Sequence, residues 1–133
     1  MGSSTPKELI VQLSREQGGP PISWAICPYC RKPGATDAHH WLWKRSDNVP
    51  DEVLHTRQNV ILLCHFCHDR HGQTKEMTLI CLAFKLRLGY DIFDWVDGLI
   101  EDGVVKHRPD IYACVEVNEA VEEIVANRHS TER

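Results

Sequence analysis

The chain is expected to fold as one α+β domain, with a short-stranded core near its middle, one helix before it and several after it. Three observations predict this. Two C-x-x-C pairs, Cys27/Cys30 and Cys64/Cys67, enclose 33 residues. A short apolar run leads straight into the second pair. Helical apolar periodicity lies on both sides of this segment. A length of 133 residues suits a single compact domain, and 42% apolar with 26% charged residues is ordinary for a globular protein. A core of this size is small enough that a metal staple would help it.

Residues 5–21 form the N-terminal helical segment. Thr5-Pro6-Lys7-Glu8 has the capping-box pattern with proline at the first helical position. Leu9, Ile10 and Leu13 supply an apolar stripe, and Gly18-Gly19-Pro20-Pro21 stops it. Residues 22–74 are the core. Cys27-Pro28-Tyr29-Cys30 runs into Arg31-Lys32-Pro33-Gly34, which is turn chemistry. Residues 37–43 are expected as a strand, 44–58 as a polar loop, and Asn59 to Leu63 as a second strand. A helix then starts at Cys64. Residues 75–133 are a helical extension. It has one helix over 75–88 with Leu79, Leu82, Ala83 and Leu86 on a face, and a second capped by Asp91. A last acidic helix spans 113–127, with Val117, Ala120, Val121 and Ile124 inward.

The chain has six cysteines. Four thiolates in two C-x-x-C units match tetrahedral zinc, because each unit bends its backbone around one edge of the tetrahedron. The second unit sits at a helix N-terminus, whose dipole favours thiolate. Four buried free thiols or a redox pair are the alternatives. Two pairs without a thioredoxin-like βαβ pattern weigh against the redox reading. Cys81 and Cys114 lie on apolar helical faces and are expected as core residues. The N-terminal segment lacks the basic, apolar and small-residue order of a signal peptide, and no run of about 18 apolar residues is present. A reducing, cytoplasmic compartment and no membrane association are therefore expected.

Asp37, His39, His40, Asn59, His65, His68 and His71 crowd the segment between and just after the cysteine pairs. With CPYC, then DAHH, then NVILLCHFCH in that order, residues 27–72 resemble the HNH nuclease family, whose core is the ββα-metal fold, a treble-clef-like arrangement. The downstream LRLGYDIFDW is similar to helical tails of bacterial and phage members. The resemblance implies structural zinc on Cys27, Cys30, Cys64 and Cys67. It further implies His39 and His68 as ligands of a catalytic divalent ion, His40 as general base, and Asn59 as the residue that orients His40 and holds the loop. Many members place another ligand at i+4 from the histidine after the last cysteine. That position here is Gly72, so His71 at i+3 is the candidate, with a phosphate-contacting role as its alternative.

The chemistry agrees with those roles. Imidazole, with a pKa of about 6.5, can take a proton from water near neutral pH. A divalent ion can neutralise charge on the phosphoryl oxygen and leaving alkoxide. Mg²⁺ or Mn²⁺ is the expected working ion, and a histidine-rich site also accepts Ni²⁺ or Zn²⁺. Neighbours on a regular strand point to opposite faces, so His39 and His40 share a site only if the strand bends or ends there; otherwise Asp37 and His39 share a face. Lys44, Arg45, Arg57 and Arg70 are candidate phosphate contacts, with solvated loop charges as the alternative reading. Trp41 and Trp43 are expected to pack behind the site. His65 is expected to face solvent, and His55, His107 and His129 to be surface residues without partners.

The expected activity is hydrolysis of DNA phosphodiesters, leaving a 5′-phosphate. It uses no 2′-hydroxyl, so RNA fits the same chemistry. The formal net charge of −4 is uneven, with 11 Lys/Arg against 8 Asp/Glu in residues 1–90 and 4 against 11 in 91–133. A polyanion should therefore meet the first part and be repelled by the tail. Two rivals are a non-catalytic zinc module that binds nucleic acid, and a protein-interaction module that uses the acidic C-terminal helices. A homodimer or a protein partner would dock through those same helices.

Overall fold

The computed structural model describes residues 5–19, 24–106 and 109. Helix α1 spans Lys7–Glu16 and buries Leu9 and Leu13, as its apolar spacing dictates. Its N-cap is Pro6, with no side-chain cap hydrogen bond, so the expected capping box does not form. Just past α1, the buried Gln17 does what a neighbouring strand would. Its amide donates to the carbonyls of Ile26 (3.0 Å) and Leu62 (2.8 Å), and its oxygen accepts from Leu62 N–H (2.9 Å). These bonds pair backbone groups that burial would otherwise leave unsatisfied.

Strand β1 covers Ala35–His40 and strand β2 covers Val60–Cys64, paired antiparallel with His40 opposite Val60 and Ala35 opposite Cys64. An irregularity between Ala35 and Asp37 adds one residue to β1. Val60 to Leu63 are wholly buried on both faces, which explains the unbroken apolar run in place of alternation. The β1 strand was expected over 37–43 but ends at His40, and Trp41 to Trp43 turn inward as core residues. The segment read as a loop contains a 3-10 turn, Arg45–Asp47, and a one-turn helix α2, Asp51–Leu54, which buries Val53 and Leu54. Those two apolar side chains are what pull the polar stretch back onto the core.

Helix α3, His65–His71, starts at Cys64, whose sulfur caps it by accepting from Cys67 N–H. Helix α4, Lys75–Arg87, is capped by the Thr74 hydroxyl. Its buried set is Met77, Ile80, Cys81, Leu82, Ala83 and Lys85, which keeps Leu82 and Ala83 of the expected face and leaves Leu79 and Leu86 only partly buried. Apolar residues lie nearly all round this helix, so period alone could not choose the inward face. Helix α5, Ile92–Glu101, is capped by the Asp91 carboxylate, which accepts from Asp94 N–H. The result is a small α+β fold with a two-stranded sheet, five helices and a four-cysteine cluster among the described residues. No helix there is long and apolar enough to cross a membrane. The helix expected over 113–127, Cys114, His107 and His129 lie outside the described residues.

Candidate functional site

The first C-x-x-C turn is held by Cys27 N–H to Lys32 O (2.9 Å) and Arg31 N–H to Cys27 O (2.8 Å). A bridge between Ile26 and Pro33 closes it. Arg31 takes a left-handed φ of 67° to make the turn. The second pair arrives from the end of β2 and the first turn of α3. All four sulfurs lie within 4.8 Å of one another, and Cys30 Sγ and Cys64 Sγ are 3.7 Å apart. A disulfide needs about 2.05 Å. Four sulfurs each about 2.3 Å from one zinc sit roughly 3.8 Å apart, so the spacing fits tetrahedral ligation. Burial pushes the Cys67 and Cys30 thiols up. Cys64 is also opposed by burial, but the Cys67 N–H bond is foremost among the interactions that carry it below its ordinary value. A dication at the centre would remove the opposition that four crowded thiolates face. The cluster can therefore hold a structural metal such as zinc. Cys81 is buried and free, as a core residue would be.

On the far end of β1, an open cleft of about 520 Å³ is lined by Thr5, Ala38, His39, His40, Lys44, Arg45, Ser46, His68 and Gln73. His39 comes from β1 and His68 from α3, with ring centroids 5.3 Å apart and nearly edge-on. His40 is the last residue of β1, and the turn beyond it lets neighbouring histidines line one cleft. The face-sharing alternative also holds: Asp37 and His39 both reach His68, with Asp37 Oδ2 3.4 Å from His68 Nδ1. That places a carboxylate beside one ring nitrogen of His68. Burial, followed by the charges of His68, Lys44 and His40, lowers the His39 pKa to about 3, so its ring is neutral, the form a metal accepts. His39 and His68 thus bring two imidazoles to one cleft, residues that could hold a cation. Among the described residues, the four cysteines are the one group of three or more His, Cys, Asp or Glu whose ligand atoms lie this close together.

His40 is half-buried. Burial, followed by the charges of His55, Arg45 and His68, lowers its pKa to about 4. Its Nε2 lies 3.3 Å from His55 Nδ1. Asn59 is fully buried and makes no hydrogen bond to the His40 ring. Its oxygen accepts from Trp43 N–H (2.7 Å), and its amide donates to Trp43 O (2.8 Å) and Leu54 O (2.9 Å). It staples the loop, and any orientation of His40 by its side chain is indirect. Trp41 and Trp43 pack behind the cleft as expected, Trp41 with its indole N–H on Gln58 O (2.7 Å).

The remaining site residues divide. Lys44 lines the cleft, its Nζ donating to Gln73 Oε1 (3.0 Å), and the exposed Arg45 lines it too. Arg57 is instead engaged by Glu16 on α1, with Nε donating at 3.0 Å, and lies over the Tyr90 ring. Arg70 stacks on the exposed Phe66 ring, 5.2 Å from its centroid. His71 is outside the cleft lining. It stacks on Tyr29 of the cysteine knuckle with centroids 4.6 Å apart. Gly72 follows from packing: a Cβ there would stand 2.4 Å from His68 O, so the usual i+4 ligand position has no room for a side chain. Sequence reasoning missed His55, and left Asp37 without a role. Asp37 had a signal, since its two-residue offset from His39 puts both on one strand face. His65 is exposed, as expected, with its Nδ1 2.9 Å from Asp37 Oδ2. Set beside known proteins, the chain matches no family model, no curated protein and no solved structure at a significant level.

Proposed function

We propose that this chain is a metal-dependent HNH endonuclease that hydrolyses DNA phosphodiester bonds from a zinc-stapled ββα-metal core. The observation that carries the reading is the meeting of His39, His40 and His68 on one open cleft bordered by Lys44 and Arg45. The succession β1, β2, α3, with cysteines at both ends of the hairpin, supports the ββα-metal assignment. His39 and His68 would hold the catalytic divalent ion, Mg²⁺ or Mn²⁺. When bound, that ion supplies positive charge against the phosphoryl oxygens and the departing alkoxide.

The chain's own side chains do the rest. His40 is neutral near pH 7 and so free to take the proton of an attacking water. An anionic phosphate in the cleft raises its proton affinity toward the working pH. Lys44 and Arg45 grip phosphate oxygens and set the register of the strand without reading sequence. The 3′-oxygen leaves, and the phosphate stays on the 5′ side.

The test is nicking of supercoiled plasmid with Mn²⁺ or Mg²⁺ by wild type and His40→Ala, matched for zinc content and circular dichroism. We expect the wild type to nick, and the variant to lose at least about a hundredfold in rate. Equal rates would remove His40 from the chemistry. Plasmid retention without nicking by either protein would favour a zinc module that only binds nucleic acid.

A further inference from the structure

We infer that His55 is the positioning residue for His40, fixing which ring nitrogen of His40 is offered to the cleft. The geometry stands by itself; its catalytic use rests on the nuclease reading above. His40 Nε2 lies 3.3 Å from His55 Nδ1, and the rings meet at 64° with centroids 5.2 Å apart. Two imidazole nitrogens at that distance share one proton, since two protons would clash and none would leave two lone pairs opposed. His40 lines the cleft and His55 does not. With Nε2 engaged by His55, Nδ1 is the nitrogen left for the cleft. A proton on His40 Nε2, donated to His55 Nδ1, leaves Nδ1 with the free lone pair that a base requires.

The placement of His55 also explains how Asn59 acts on His40 without a hydrogen bond to its ring. The Asn59 amide holds Leu54 O, and His55 follows Leu54 at the end of α2, its own N–H bonded to Asp51 O (2.9 Å). The same Asn59 Nδ2 also donates to Trp43 O, and the side-chain oxygen accepts from Trp43 N–H. One buried asparagine thus clamps both ends of the 43–54 segment, and His55 transmits that placement to the imidazole. The loop replaces a backbone carbonyl or carboxylate with a second histidine as the partner that sets the tautomer.

The experiment uses the zinc-loaded full chain and two readouts. Long-range ¹H–¹⁵N spectra of the histidine rings should show His40 with a protonated Nε2 and an unprotonated Nδ1. In His55→Ala the two nitrogens should average. In plasmid nicking with Mn²⁺, His55→Ala should lower kcat at least about tenfold with KM unchanged, and His55→Gln, whose side-chain oxygen can accept from Nε2–H, should recover most of it. A His40 spectrum already averaged in wild type, or unmoved by His55→Ala, overturns the inference. Equal kcat for wild type and His55→Ala overturns it as well, and so does a His55→Gln loss as deep as that of His55→Ala. A fixed tautomer in a wild type that cuts nothing sinks the nuclease reading while the positioning contact survives. Cutting by a wild type with an averaged His40 does the reverse.

Discussion

Two polar clusters flank the β1–β2 hairpin, and they are built on opposite plans. The histidine cleft gathers mainly imidazoles, with Lys44 and Arg45 at the border and the Asp37 carboxylate against His68 and the exposed His65. The other cluster sits where α1 meets α4. There the Glu16 carboxylate bonds Arg57 and the Tyr90 hydroxyl, and the fully buried Lys85 places Nζ 3.6 Å from Glu16 Oε2 and 4.8 Å from the Tyr90 ring centroid. The second cluster contains its own counter-charge and closes around the buried Lys85, with Arg57 half-exposed at its edge. The first is open, with Lys44 and Arg45 at its border and neutral imidazoles within it. A cluster that neutralises itself around a buried charge serves the fold, whereas one that opens to solvent has room for a ligand.

The harshest way to break this contrast removes the staple that both clusters share. Cys64 ends β2 and caps α3, so it ties His68 to the strand that follows Asn59. Stripping zinc with a strong chelator, or substituting Cys64→Ser, should abolish cooperative thermal unfolding and cleft activity together, because structural zinc supplies about 10 kcal/mol or more in small domains. Calorimetry on the metal-free protein reads this directly. An unchanged transition would mean that the apolar core alone carries the fold.

A milder pair of substitutions separates the two clusters. Glu16→Ala leaves Lys85 buried without its carboxylate, and breaking a buried pair costs about 3–5 kcal/mol. We expect a large fall in Tm with nicking preserved at low temperature. Asn59→Ala gives up three buried side-chain hydrogen bonds and lies between the two classes, since it should lower both Tm and kcat. If Glu16→Ala lost activity at a temperature where it remains folded, the division into a fold cluster and a ligand cluster would be wrong.

The same contrast explains what could be read in the sequence. The cysteine ligands were legible because C-x-x-C imposes its geometry within four residues, and the apolar run of β2 pointed into the second pair. His39, His40 and His68 were legible only as a motif whose order resembles a family pattern, and their shared cleft depends on β1 ending at His40. His55 was invisible because its contact with His40 runs through the 43–54 segment, whose path is set by Asn59. Arg57 was read as a phosphate contact from its place beside Asn59, yet its partner lies on α1. Lys85 defeated periodicity outright. A lysine on α4 reads as a solvent face until α1 delivers Glu16 from the other end of the described chain.

The smallest effect tests the closed cluster through its pH dependence. Burial lowers the Lys85 pKa from its ordinary 10.5 to about 8, with Glu16 pulling the other way. Between those two values the unfolded chain keeps a proton that the folded chain has lost, so stability rises with pH as far as Lys85 is concerned. Burial raises Cys81 and Tyr90, so the folded state keeps their protons longer and stability falls above about pH 9 to 10. The Lys85 contribution is therefore cleanest from pH 8 to 9. Comparison with Lys85→Met cancels zinc, Cys81 and Tyr90, which both proteins share. Urea unfolding should show wild type gaining about 1 kcal/mol on Lys85→Met across that unit of pH. Parallel curves would mean that Lys85 keeps its proton inside the fold, and that its attraction to Glu16 outweighs the cost of burying it.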